Sequence, residues 1–231
     1  MNRISVLRYF ALCVTVGVLF SCESEEETVI TSKEEAVDLG LSVKWGEWNL
    51  GASKPDEYGD YYAWGEIEPK TDYSWPSYKW CNGSLSSLTK YNTSTEFGFV
   101  DNRELFEDYD YKDDAARRVL GGTWRVPTDA EWTELRDKCT WKWTSDYKGT
   151  GVAGMVVTSN VDGYKKKSIF FPAAGCRVNA RPREVGSSGA YWSASLANSP
   201  ASAFFVSFYS DVMGRNDYLR CFGLSIRPVS D

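Results

Sequence analysis

The stretch "PTDAEWTELRDKC" (127–139) decides how the rest of the chain is read. Thr128 and Glu131 have the spacing of a capping box, in which each side chain takes a backbone N–H that a helix start leaves orphaned. Trp132, Leu135 and Cys139 then fall on one helical stripe, which places Trp132 in the core. Upstream, "KDDAARRVLGG" (112–122) predicts another helix. Asp113 and Asp114 suit its positive N-terminus, Ala116, Val119 and Leu120 form its apolar face, and Gly121-Gly122 stops it. Downstream of Cys139 the apolar period changes to two. "GMVVTS" (154–159) and "KKSIFFPAAG" (166–175) read as strands around a turn at Asp162-Gly163. "AYWSAS" (190–195), "SAFFVSFYS" (202–210) and "GLSIRPV" (223–229) complete a β-rich half. Near the other end, "VDLGLSVKWGEWNLGA" (37–52) alternates and predicts an early strand. Residues 53–84 follow as a long loop whose Trp and Tyr content marks it as packed. The order predicts an α+β domain: two helices, antiparallel β-sheets and long ordered loops.

The first 22 residues stand apart from that domain. Arg3 and Arg8 precede "YFALCVTVGVLF", an apolar run of signal-peptide length, and "LFSC" ends it at Cys22. This ending resembles a bacterial lipobox, which implies a lipid on Cys22 as the membrane attachment. Residues 23–36 read as an acidic flexible tether, and the acidic run of "CESEEE" (22–27) resembles the export tag of outer-surface lipoproteins. The domain is then 37–231, and the expected location is the outer membrane at the cell surface. A net charge of −6 argues against nucleic acid as a partner. The chain has no His, which removes the usual general base, the Ser-His and Cys-His pairs and most metal sites. Neither a cofactor nor a metal is expected. Cys81, Cys139, Cys176 and Cys221 remain in the domain and, in an oxidising exterior, predict up to two disulfides with the connectivity open.

"GGTWRVPTDAEWTELRDKC" (121–139), "YKWCNGSLSSLTKYN" (78–92), "SIFFPAAGCR" (168–177), "GAYWSAS" (189–195) and "GLSIRPV" (223–229) occur in an order that resembles the Fibrobacter succinogenes major paralogous domain. That family is related to the formylglycine-generating-enzyme type of C-type-lectin-like fold. The resemblance covers most of 37–231 and implies that fold, on a surface lipoprotein with a binding role and no enzymatic activity. It departs at the calcium-binding triplets of sugar-binding lectins, where "EPK" (68–70) and "RND" (215–217) stand here. Calcium-bridged sugar binding is therefore not implied. The acidic run "EDYDYKDD" (107–114) has no EF-hand spacing and reads as a charged helix entry. The oxidase relative needs a closely spaced Cys pair near the C-terminus, and Cys221 has no such neighbour. Cys176 and Cys221 replace family aromatics and are expected as a pair with each other.

From Ser193 to Asp231 there is no Lys, Glu or Trp, although residues 1–192 hold 13 Lys, 16 Glu and 10 Trp. The segment resembles the variable region of C-type-lectin-like targets of diversity-generating retroelements. Adenine-directed mutagenesis of their AAC codons never yields Lys, Glu, Gln or Trp. Strand burial disfavours Lys and Glu too, but does not explain the missing Trp. Alternation places Phe204, Val206 and Phe208 on one face, with Phe205, Ser207 and Tyr209 on the other. Arg220, Gly223, Arg227 and Pro228 match the family framework. The expected ligand-binding set is Phe205, Ser207, Tyr209, Asp211, Arg215, Asn216, Asp217, Tyr218 and Phe222, facing a protein or glycan at the cell surface. The competing readings are a carbohydrate-active enzyme using Glu66 and Glu68, whose chemistry needs two placed carboxyls, and a structural subunit such as an adhesin tip.

Overall fold

In the computed structural model, which describes residues 35–104, 112–210 and 212–231, short strands come first. These are β1 (Ala36–Val37) and β2 (Lys44–Gly46). Helices α1 (Ala115–Leu120) and α2 (Asp129–Lys138) follow, then β3 (Cys139–Thr144), β4 (Gly154–Ser159) and β5 (Ser168–Pro172). A small hairpin, β6 (Cys176–Val178) and β7 (Arg181–Arg183), leads into β8 (Gly189–Leu196), β9 (Ser202–Tyr209), β10 (Val212–Leu219) and β11 (Val229–Ser230). The sheets run β1-β2-β11, β3-β4-β5, β6-β7 and β10-β9-β8, with every strand pair antiparallel. The architecture is α+β. Cys22 and residues 23–34 of the tether lie outside the described residues, Ala36 at the end of the expected tether is already in β1, and among those described no helix is long and apolar enough to cross a membrane.

Helix α2 begins where its capping box requires. Thr128 accepts the Glu131 amide, and the Glu131 carboxylate accepts the Thr128 amide at 2.7 Å. Its buried residues, Trp132 and Leu135, join Trp45, Met155, Phe171, Tyr191, Val206 and Phe208 in one core. The Trp45 and Trp132 rings are 4.7 Å apart, and Trp132 donates its indole N–H to the Trp192 carbonyl. A second core, around Trp64, Trp192, Phe205 and Leu224, lies on the other face of the β8–β9–β10 sheet.

Several expectations change. The strand over 37–52 contracts to Val37 and 44–46, because the Asp38 carboxylate accepts the Gly40 amide and Gly40 turns at φ +74°. Helix α1 starts three residues later than its pattern, capped by Asp114, and buries Ala115 and Ala116. Val119 is 54% exposed: a helix of six residues presents too little length for a full apolar face. Residues 223–229 thread between sheets instead of forming one strand, bridging Arg177, Tyr62, Tyr191 and Arg125 in turn. Cys81, Cys139, Cys176 and Cys221 are all free and buried, so neither the disulfides nor a Cys176–Cys221 pair forms. Those two thiols pack in different apolar clusters, and burial alone accounts for them.

Arg220 and Arg227 hold the tail in place, and both are fully buried. Arg220 donates to the Tyr78 hydroxyl and to the carbonyls of Tyr91 and Lys90. Arg227 donates to the Asn49 side chain and to the carbonyls of Gly46, Glu47 and Phe170, with its guanidinium 4.4 Å from the Phe171 ring centre. Such fans of acceptors are what permit a guanidinium to lie in a core.

Candidate ligand-binding site

The segment after Tyr209 turns back on itself as β10, pairing residue by residue from Val212↔Tyr209 to Leu219↔Ser202. The pleat then divides the candidate residues. Phe205, Ser207 and Tyr209 share a face with Asn216 and Tyr218, whereas Arg215 and Asp217 point with Phe204 and Val206 to the reverse. Asp211 lies outside the described residues. On the reverse face Arg215 pairs with Asp129 of α2, and its guanidinium lies 3.5 Å from the centre of the Phe204 ring. These contacts dock the sheet on α2 through Arg215, and with Asp217 exposed on the same reverse face the two stand apart from the residues that meet in one cleft.

The front face forms one wall of a concavity of about 470 Å³. Phe205, Ser207, Tyr209, Tyr218 and Phe222 line it, facing Cys176, Val178 and Arg183 of the β6–β7 hairpin, with Glu184, Ser188 and Ala190 completing the wall. Its size is that of an ordinary small-ligand site. Phe205, at 9% exposed, is floor rather than rim, whereas Tyr209 is 56% exposed at the mouth. The Phe205 and Tyr218 rings stack at 5.4 Å and 23°, and Phe222 meets Tyr218 edge-on at 4.7 Å. Asn216 donates its amide to the Ser207 hydroxyl at 2.9 Å, orienting that hydroxyl from beside the cleft.

The concavity offers surface rather than reactive groups. Burial pushes the Cys176 thiol up to about 11, so it stays protonated near neutral pH and is a poor nucleophile. Burial likewise raises Tyr218. Glu66, proposed for carboxylate chemistry, is buried elsewhere, bonded to the Lys70 ammonium at 2.8 Å and to the Lys79 amide, while Glu68 is exposed. Of the acidic run, residues 107–111 lie outside the described set. Asp114 caps α1 and accepts the Val126 amide, and Asp113 accepts from Tyr91 and Lys90. Among the described residues no group of three or more acidic or Cys side chains is placed to hold a metal.

The opposite wall was missed in the sequence. A short alternating pair, "CRV" and "RPR", flanks Asn179, which takes the turn at φ +53°. That Asn between two three-residue runs was the available signal. Comparison with protein-family profiles, curated proteins and solved structures found no match.

Proposed function

We propose that this chain is a lipid-anchored outer-membrane surface protein with a C-type-lectin-like domain, tethered through Cys22, that binds a protein or glycan in the β9–β10 concavity. The observation that carries the reading is the convergence of Phe205, Ser207, Tyr209, Tyr218 and Phe222 on one cleft, while Tyr191, Val206 and Phe208 on the reverse of β8 and β9 pack into the core. Aromatic side chains with hydroxyl neighbours give large contact area at low conformational cost, which is binding-surface chemistry. The resemblance to the major paralogous domain supports the fold and the surface role.

Retroelement diversification of the tail belongs to the same proposal. Buried strands explain a lack of Lys and Glu in β8 and β9, but β10 is a sheet edge with Val212 and residues 215–217 exposed. Exposed edges ordinarily carry Lys, which guards against pairing with other chains. Its absence there favours a codon-level cause over burial.

The test is binding of the full chain, in detergent, to arrays of glycans and of extracellular proteins. Ser207→Trp fills the concavity and should weaken any interaction by about tenfold or more, as expected for loss of a central contact. Asp217→Asn, on the reverse face, should leave it unchanged. Undiminished binding by Ser207→Trp would place the ligand elsewhere.

A further inference from the structure

We infer that the concavity takes an acidic saccharide, a conclusion that rests on reading this cleft as the binding site. The chain carries a net charge of −6, yet the β6–β7 hairpin bears Arg177, Arg181 and Arg183 with no acid between them. The register Cys176↔Arg183 and Val178↔Arg181 puts Arg181 and Arg183 on the hairpin face that carries Cys176 and Val178, the face that closes the cleft. Arg183 lines the cleft and Arg181 follows it along the same strand face.

Among the described residues neither the Arg181 nor the Arg183 side chain has an ion pair or hydrogen bond, in contrast to those of Arg125, Arg215 and Arg220. Glu184 is the one carboxylate on the lining and offsets Arg183 there, so the unbalanced positive charge is that of Arg181 on the adjoining hairpin face. Two exposed guanidinium forks at an aromatic cleft fit a ligand that combines an apolar ring face with a carboxylate or sulfate. A sugar ring stacks its C–H face on Tyr218 and Tyr209. Its hydroxyls meet the hydroxyls of Ser188 and Ser207, and its anionic group meets Arg183 and Arg181. An acidic peptide fits less well. Arg177 exchanges both backbone bonds with Gly223, so its β7 partner Pro182 occupies the outward position of the hairpin's free edge. Proline has no N–H there with which to template an added strand.

The test titrates the full chain in detergent with polygalacturonate, dextran sulfate, neutral dextran and poly-L-glutamate. The expected result is binding to polygalacturonate or dextran sulfate and not to dextran, with the preferred polymer telling carboxylate from sulfate. Arg181→Gln/Arg183→Gln should weaken it by about tenfold or more and flatten its salt dependence. Tyr209→Ala, at an exposed position that folding does not need, should also weaken it. Equal binding of neutral dextran, insensitive to the arginine exchange, overturns the acidic class and leaves the cleft as the site. Poly-L-glutamate bound as tightly as polygalacturonate overturns the saccharide. Binding that responds to the arginines but not to Tyr209→Ala or Ser207→Trp is diffuse charge attraction and overturns both the inference and the cleft. Binding to none of the four overturns the inference alone, since the array comparison with Ser207→Trp judges the cleft separately.

Discussion

Arg220 shows how a single side chain sets the geometry of the candidate site. It follows β10 directly, and its guanidinium ties that strand's end to the Tyr78 hydroxyl and the carbonyls of Tyr91 and Lys90. Arg220→Ala removes the donor from three interior acceptors and should cost about 3–5 kcal/mol, the usual range for breaking a buried charged network. Arg220→Lys should recover little, because one ammonium cannot reproduce a planar fork. Chemical denaturation of both variants checks this; a lysine variant as stable as wild type would mean charge alone suffices. Glycine matters in the same neighbourhood. A Cβ on Gly223 would lie 2.6 Å from the Tyr73 ring, and one on Gly189 would lie 2.1 Å from Phe208. Both sites therefore exclude side chains, and they keep the sheet and tail closely apposed.

Among the elements, α2 was legible because its signals are local. Thr128, Glu131, Trp132 and Leu135 sit within one helix, and each acts on backbone or core nearby. Strand β10 was not legible. "VMGRNDYL" has no alternation because one side of this edge strand makes few demands, and its ladder is supplied by β9. Without the β10 register, Arg215 and Asp217 were counted beside Tyr218, and only the pleat separates them. Helix α2 also carries a pH prediction. Burial alone would raise the Glu131 carboxyl, but the paired Arg125 guanidinium and the Thr128 bonds outweigh it and hold it below the usual 4.5. The folded state thus binds this proton more weakly than the unfolded chain. Its stabilisation is present above the usual carboxylate value and is lost as pH falls through the depressed one. Melting temperatures measured from pH 7 downward should show an acid-side decline that Glu131→Gln partly flattens, starting from a lower value at pH 7. An identical slope in the variant would deny the pair its role.

At the scale of the molecule, stability comes from packed aromatics and carbonyl-bonded arginines rather than from cross-links. Burial lifts Cys139 to about 11 and Cys221 to about 12, so these thiols are protected from both exchange and oxidation. Reductant should therefore leave the melting temperature unchanged, and a thiol reagent should label Cys81, Cys139, Cys176 and Cys221 only after denaturation. A drop in melting temperature on reduction would reveal a disulfide. Cysteine count alone predicted the opposite, since it sees the compartment but not the distance between side chains. The β1-β2-β11 sheet has a further consequence. Val37 and Val229 flank Trp45 from opposite sides, two strand spacings or about 10 Å apart. A few glycines would bridge that gap, and the exposed turn at 149–151, between β3 and β4, would serve as a new opening. A chain circularly permuted in this way keeps every strand pairing, and its cooperative melt would show that the fold depends on which strands meet and not on the order in which they are joined.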